Sequence, residues 1–111
     1  DMVLKHVGQY LLKNLRHENI ACRYGGEEFA VVLRNTPGDQ AALIGERIRA
    51  ALETETIDFR GTMLSVTISV GAATSVGESY ETIEDFIQAA DRNLYEAKAS
   101  GRNRIVWKMA A

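Results

Sequence analysis

The 111-residue sequence contains one cysteine, one proline and no excess of basic residues. A single cysteine, Cys22, excludes an internal disulfide bond and a zinc site built from several cysteines. The net charge of −2 argues against a general nucleic-acid-binding or membrane-surface protein, which would normally carry a basic patch. No apolar run approaches the roughly 18 residues of a membrane-spanning helix. We therefore expect a cytoplasmic domain that binds no nucleic acid, in a parent protein that a membrane anchor elsewhere could still attach.

The residues that are present are typical of a folded, globular domain. Hydrophobic residues make up 46% of the sequence and charged residues 25%, a balance found in globular rather than disordered proteins. A length of 111 residues is that of a single domain with one core. The sequence shows no repeats, linkers or low-complexity tracts. We therefore predict one domain over residues 1–111.

The spacing of the apolar residues predicts an alternation of helices and strands. Helical spacing predicts helices over residues 2–16, 39–54 and 81–99. Strand-like runs are predicted at 19–24, 28–34, 63–73 and in the closing "RIVWKM". A short turn or hairpin is expected around "FRGTML". Helices packed on one face of a mainly antiparallel sheet satisfy this order, which predicts an α+β fold.

The third predicted helix has two distinct faces. Its inward, apolar residues are expected to be Ile83, Phe86, Ile87, Ala90 and Leu94. Gly101 suits its C-terminal cap. A second stripe follows at i, i+4, i+7 and i+11, formed by Asp91, Tyr95, Lys98 and Arg102. This stripe is either a solvated face whose cationic end is favoured by the helix dipole, or a lysine and an arginine aimed at phosphate oxygens.

The stretch "RYGGEEF" lies between two of the predicted strands. Gly25 and Gly26 can supply the positive φ angles of a tight hairpin turn, and glycines also let a ligand approach the backbone closely. The adjacent carboxylates of Glu27 and Glu28 suit a hard cation such as Mg²⁺, which in turn recruits phosphates. No P-loop sequence is present. Two readings remain open at this point: solvated acids at a turn, or a metal and phosphate site.

Three segments taken together resemble a known family. "RYGGEEF", "TISVGAA" and "ADRNLYEAKASGRNRI" occur in the order of the motifs of the GGDEF domain of diguanylate cyclases, in its GGEEF variant. The resemblance covers nearly all of the chain. It implies a nucleotidyl cyclase-like fold, with a palm or ferredoxin-like, mainly antiparallel central sheet flanked by helices. It also implies a nucleotidyltransferase that condenses two GTP molecules into the bacterial second messenger cyclic di-GMP and pyrophosphate.

The same resemblance implies roles for individual residues. Glu27 corresponds to the catalytic and metal-binding carboxylate, and Glu28 to a further metal ligand, for Mg²⁺ or Mn²⁺. The residues that correspond to the nucleotide-binding positions are Asp1, Gly25, Gly26, Lys98 and Arg102. Of these, Asp1 is expected to accept hydrogen bonds from guanine, while Lys98 and Arg102 are expected to bind the triphosphate. Each domain of a homodimer would present one GTP, so the implied partners are a second GGDEF domain and an upstream sensory or receiver domain.

The sequence departs from the family pattern in two places. The family carries a segment of the form D-x-D-x-F-K-x-x-N-D before the position of Asp1, with the first strand of the sheet and a second metal aspartate, and the 111 residues do not include it. We therefore expect this chain, as an N-terminally truncated domain, to be inactive alone. The product-inhibition motif R-x-x-D is also altered. The residues at this degenerate site are Arg16, Asn19 and, from the second helix, Arg47.

A second function remains open at this stage. A non-catalytic module that binds GTP or cyclic di-GMP for regulation would fit the missing first strand, whereas the intact GGEEF sequence argues against loss of activity. A plain interaction domain without a ligand is disfavoured, because Glu27, Lys98 and Arg102 occur together.

Overall fold

A computed structural model of the chain describes residues 2–15, 20–23 and 29–108. These residues form three helices and six short strands. In chain order the elements are α1 (Met2–Asn14), β1 (Ile20–Arg23), β2 (Phe29–Val32), α2 (Gly38–Thr54), β3 (Thr56–Phe59), β4 (Thr62–Ser65), β5 (Val70–Gly71), α3 (Ile83–Ala99) and β6 (Ile105–Val106). The predicted α+β class and the three predicted helices are confirmed. None of the described helices is long and apolar enough to cross a membrane.

The chain divides into two compact units. The first unit comprises Asp1–Arg34 and Glu55–Val66, and the second unit comprises Asn35–Thr54 and Thr67–Ala111. The second unit contains two of the three helices and the parallel strand pair, together with the predicted triphosphate-binding residues that the structure describes.

The first unit is built from α1 and two antiparallel hairpins. Strand β1 pairs with β2, and β3 pairs with β4. Helix α1 contacts β1 and β3 and buries Val7 and Leu11, which lie on the apolar stripe of the sequence. The β3–β4 turn has positive φ at Arg60 and Gly61, the backbone of a two-residue hairpin turn, so the hairpin predicted around "FRGTML" is confirmed.

The second unit packs α2 and α3 on the parallel pair β5–β6, whose register places Val70 opposite Ile105. Leu52 of α2 and Ala97 of α3 have no exposed surface. Gly71 of β5 lies so close to α3 that a Cβ atom there would overlap the helix backbone at Ala90 and Leu94. A residue without a side chain is therefore what allows α3 to approach the strand.

The single strand predicted over 63–73 is wrong. This segment instead contains two strands, β4 and β5, separated by residues 66–69, which are not strand. The alternation of apolar residues continues through the break, but the hydrogen-bonding partner changes from β3 before it to β6 after it. A strand is defined by its ladder partner as well as by its side-chain pattern, and the partner was not visible in the sequence.

The predicted inward face of α3 is also partly wrong. Ile83 is 73% exposed and Ile87 is 37% exposed, whereas Ala97 is fully buried. Where α3 packs on Gly71 of the two-residue strand β5, the nearest helix residues are Ala90 and Leu94. Ile83 and Ile87 lie on earlier turns of the helix, before this contact.

Candidate nucleotide-binding site

Three of the predicted site residues fall within the described part of the chain. They are Arg47 on α2, Lys98 in the last turn of α3, and Arg102 just after that helix. The other predicted site residues lie outside the described residues: Asp1, Arg16, Asn19, Gly25, Gly26, Glu27 and Glu28. The roles assigned to all of these residues stay predictions. The geometry that the structure provides is that of the C-terminal end of α3 and the segment that follows it.

Local sequence signals fix both ends of α3. At its start, the Thr82 hydroxyl accepts a hydrogen bond from the backbone N–H of Asp85 at 3.1 Å, which is an N-terminal cap. Glu84 and Asp85 place negative charge in the first turn and Lys98 places positive charge in the last turn, as the helix dipole favours. The Lys98 side chain is half-buried at this end.

The helix ends in a Schellman motif. Ser100 is the C-terminal cap, and Gly101 follows with φ of +127°. The backbone N–H of Arg102 donates to the carbonyl of Ala97 at 2.9 Å, which closes the motif. The prediction that Gly101 takes part in the C-terminal cap is confirmed, because it is the glycine that follows Ser100 in this motif. Arg102 therefore lies beyond the cap, and the prediction that it continues the helical stripe of Asp91, Tyr95 and Lys98 is wrong, because helical spacing stops at the glycine.

Two consecutive residues after the cap have left-handed backbone conformations. Arg102 has φ of +64° and Asn103 has φ of +48°. Asparagine tolerates this region better than most residues, but an arginine there is uncommon. Backbone strain of this kind costs about 1–3 kcal/mol per residue and persists only where the surroundings enforce it. The contacts of this segment show what enforces it.

Arg49 of α2 is the centre of an ion-pair network that reaches this segment. Its guanidinium donates to both carboxylate oxygens of Glu46, with N–O distances of 2.7 and 2.6 Å. The same group donates to Glu53 at 3.4 Å and to the side-chain oxygen of Asn103 at 2.8 Å. The Arg49 side chain is only 14% exposed, whereas the Glu46 and Glu53 side chains are 44% and 45% exposed. The Asn103 amide also donates to Glu53.

These contacts shift the protonation equilibria of the network. The hydrogen bond from Arg49 lowers the pKa of the Glu46 carboxyl below its ordinary value of 4.5. The hydrogen bond from the Asn103 amide, and then the charge of Arg49, lower the pKa of Glu53 in the same direction. Because both values are lowered, the network stabilises the fold above pH 4.5 and loses this contribution as the pH falls below it. At neutral pH the network is therefore fully charged.

The sequence analysis missed this network. The spacing of Glu46, Arg49 and Glu53 at i, i+3 and i+7 signals ion pairs along α2. Nothing in the sequence signals that Asn103, 54 positions after Arg49, completes it. The connection depends on the tertiary packing that brings the end of α3 beside α2.

A shallow cavity in the second unit is not suited to a nucleotide. Its volume is about 210 Å³, below the roughly 300–1,000 Å³ of typical ligand pockets. It is lined in part by Tyr80, Arg92 and Lys108, and neither Lys98 nor Arg102 lines it. Partial burial and the nearby Glu78 carboxylate raise the pKa of the Tyr80 hydroxyl, so this group stays protonated at neutral pH.

Within ranges 2–15, 20–23 and 29–108, no three histidine, cysteine, aspartate or glutamate side chains form a group that could hold a metal ion. The predicted metal ligands, Glu27 and Glu28, lie outside these ranges. Metal binding therefore remains a prediction from the sequence.

Residues 1–104 match the family described as "Diguanylate cyclase, GGDEF domain". The chain is 40% identical over 105 residues to Diguanylate cyclase A of Treponema denticola, with 95% of this chain and 28% of that protein covered. It is 42% identical over 112 aligned positions to the response regulator PleD of Caulobacter vibrioides, with 99% of this chain and 24% of that protein covered. Among solved structures, the GGDEF domain of DgcB from Caulobacter crescentus in complex with c-di-GMP has a TM-score of 0.82 and 31% identity, with 95% of this chain and 60% of that chain covered.

The chain therefore belongs to the GGDEF family of diguanylate cyclase domains, and the resemblance seen in the sequence is confirmed. The similarity to a solved GGDEF domain also confirms the fold that this resemblance implied. The chain spans about a quarter of the length of the two curated relatives, at 28% and 24%.

Proposed function

We propose that this domain condenses two GTP molecules into cyclic di-GMP, with release of two pyrophosphates. The observation that carries the proposal is the family match over residues 1–104, a range that includes GGEEF and both Lys98 and Arg102. The 3′-hydroxyl oxygen of each GTP loses its proton to solvent and forms a bond to the α-phosphorus of the other. The bond between the α-phosphorus and the bridging oxygen breaks, and pyrophosphate leaves. Two such steps close the ring of the product.

Lys98 and Arg102 are proposed to bind the β- and γ-phosphates of GTP. These phosphates become the leaving pyrophosphate, on which negative charge increases during the reaction. A lysine and an arginine directed at that charge stabilise the transition state more than the bound substrate. The exposed position of Arg102 after the cap of α3 is compatible with contact to a ligand.

The remaining proposed roles fall on residues outside the described ranges. Asp1 accepts hydrogen bonds from N1–H and the exocyclic amine of guanine, a pair of donors that adenine lacks. Gly25 and Gly26 leave room for the nucleotide beside the backbone. Glu27, with Glu28 as a further ligand, holds Mg²⁺ or Mn²⁺, since carboxylate oxygens are the ligands such cations prefer. The metal ion, when bound, neutralises charge at the reacting phosphate.

The reaction needs two domains, because each is proposed to present one GTP to the other. The working unit is therefore a dimer in which two nucleotides face each other in near-attack geometry. We also propose that a sensory or receiver domain of the same polypeptide controls this pairing. The relative PleD is a response regulator, and this chain covers 24% of it.

GTP affinity tests the proposed phosphate contacts. Lys98→Ala and Arg102→Ala should each weaken GTP binding roughly ten-fold or more, because each removes charge-assisted hydrogen bonds of about 1.5–3 kcal/mol. Isothermal titration calorimetry on the purified protein gives the dissociation constants. The matched control is Arg92→Ala, which removes an exposed cation from the same helix and should leave affinity for GTP unchanged.

An equal loss of GTP affinity in the Lys98, Arg102 and Arg92 variants would indicate general electrostatic attraction. Unchanged GTP affinity in the Lys98 and Arg102 variants would mean that the triphosphate binds elsewhere. In a protein that also contains the segment preceding this domain in the family, GTP binding without product formation in the presence of Mg²⁺ would instead favour the regulatory binding module.

Product inhibition is expected to be weak. Arg16 can still bind a guanine or a phosphate, but Asn19 lacks the charge of the aspartate at its position in the family motif. Loss of that charge-assisted acceptor costs on the order of 1–2 kcal/mol, or roughly ten-fold in affinity. We expect Asn19→Asp to lower the concentration of cyclic di-GMP that halves the initial rate by about that factor. An unchanged inhibition constant, or submicromolar binding by the natural protein, would show that asparagine serves equally well.

A further inference from the structure

The segment that carries Arg102 is held from several sides. The backbone N–H of Arg102 is bonded to Ala97, and its carbonyl accepts a hydrogen bond from the Arg104 guanidinium at 3.0 Å. The backbone N–H of Asn103 donates to the Ser69 hydroxyl at 3.2 Å. Arg102 itself is an exposed residue. An exposed cation therefore extends from a segment that is hydrogen-bonded to the end of α3 and to Ser69.

The Asn103 side chain completes this support. Its oxygen accepts from Arg49 at 2.8 Å, and its amide donates to Glu53. Both partners lie on α2, and Glu46 in turn holds Arg49 through two hydrogen bonds. These bonds fix Asn103 at a φ of +48° and so determine the conformation of Arg102 next to it. Strained backbone enforced by its surroundings is a feature of ligand-binding segments.

We propose that Arg49 and Asn103 are positioning residues, which hold Arg102 in the conformation that binds the triphosphate of GTP. This inference rests on the function proposed above. Neither residue needs to contact the nucleotide. Their effect is to fix the direction of the Arg102 side chain before the ligand arrives, so that less freedom is lost on binding. Without them, the left-handed backbone at residues 102 and 103 would relax and the guanidinium would move.

A double-mutant cycle on GTP affinity tests this inference. Asn103→Ala and Arg49→Lys should each raise the dissociation constant for GTP about three- to ten-fold in the otherwise natural protein. In an Arg102→Ala background, the same two substitutions should have little further effect, because the residue that they position is gone. Lysine retains the charge of Arg49 but cannot bond Glu46 through two nitrogens and Asn103 at the same time. Asn103→Gly is the second variant at this site, since glycine adopts the left-handed backbone without strain and lacks only the side-chain bonds.

Asn93→Ala is the matched control. Asn93 also anchors backbone in the second unit, through a 2.7 Å hydrogen bond to the carbonyl of Ala72. Its loss should lower the melting temperature and leave GTP affinity unchanged. Thermal unfolding of every variant shows which are folded at the temperature of the titration.

The outcomes separate this inference from the proposed function. If Arg102→Ala weakens GTP binding, but Asn103→Ala, Asn103→Gly and Arg49→Lys do not, the positioning role is wrong and the phosphate contact stands. If these substitutions weaken binding equally in both backgrounds, or if Asn93→Ala weakens it as much, their effect is general destabilisation and the inference is also wrong. If Arg102→Ala leaves affinity unchanged, the proposed phosphate contact fails, and the positioning role fails with it.

Discussion

Replacement of Gly71 by alanine should strongly destabilise the second unit. The added Cβ would overlap the backbone of α3 at Ala90 and Leu94, and a helix backbone cannot move aside as a flexible side chain can. Helix α3 would have to separate from β5, exposing the surface that the two bury together. Insertion of a methyl group into a packed core commonly costs 1–3 kcal/mol, and an overlap with backbone belongs at or above the top of that range. We expect a loss of about 3 kcal/mol or more.

Thermal unfolding followed by circular dichroism measures this loss. A cost of about 3 kcal/mol corresponds to a fall in melting temperature on the order of 10–20 °C for a domain of this size. Gly8→Ala is the matched control, because Gly8 lies within α1 and, among the described residues, its added Cβ would meet the edge of the Phe29 side chain at 3.3 Å. Alanine also has a higher helix propensity than glycine. The free energy of unfolding of this variant should therefore remain within about 1 kcal/mol of that of the natural protein. A Gly71→Ala protein that unfolds at the same temperature as the Gly8→Ala control would show that α3 does not pack on β5 as described.

Replacement of Glu27 by glutamine should abolish formation of cyclic di-GMP. The substitution keeps the size of the side chain and removes the charge assigned to metal binding and catalysis. Loss of one preorganised electrostatic contact to a transition state typically lowers the rate 10²–10³-fold, and a residue with two such roles should lose at least that much.

The initial rate with GTP and Mg²⁺, measured by chromatographic separation of the nucleotides on a protein that also contains the family's preceding segment, checks the Glu27 prediction. Glu84→Gln is the control, since Glu84 is an exposed carboxylate in the first turn of α3. Its substitution should leave the rate within about two-fold of the natural protein. Glu27→Gln activity within ten-fold of the natural protein would assign the metal and the chemistry to other residues.

The elements that the sequence predicted correctly are those with local signals. The apolar stripe of α1, with Val7 and Leu11, is visible in fifteen residues of sequence and is buried in the structure. The turn at Arg60 and Gly61 was recognised by its glycine, and Gly101 was recognised as a cap for the same reason. In each case the residues that determine the local structure lie within a few positions of one another in the sequence.

The predictions that failed depended on distant partners. The continuous apolar pattern from Leu64 to Val70 gave no sign that the strand would break where its pairing partner changes. Ile83 lies on the predicted apolar face of α3 but is 73% exposed, in the first turn of the helix and before the residues that contact Gly71.

The candidate site likewise combines features with local sequence signals and features that depend on distant residues. The roles proposed for Lys98 and Arg102 come from sequence motifs, and the family to which those motifs belong is confirmed. The hydrogen bond from Arg49 to Asn103, next to Arg102, could not be predicted, because it joins residues 54 positions apart. The proposed roles of Asp1, Gly25, Gly26, Glu27 and Glu28 rest on sequence alone.

The most direct test of the proposed activity is an isotope experiment on the condensation itself. Because the chain alone is expected to be inactive, the protein used would contain this domain together with the segment that precedes it in the family. It would be incubated with Mg²⁺ and an equal mixture of unlabelled GTP and GTP uniformly labelled with ¹³C and ¹⁵N, and the products would be resolved by mass spectrometry. Condensation of two GTP molecules predicts cyclic di-GMP in light, mixed and heavy forms at a ratio of about 1:2:1, with two pyrophosphates released per product. GTP that binds and remains intact, or that yields only GDP or GMP with no species of mixed mass, would contradict the account.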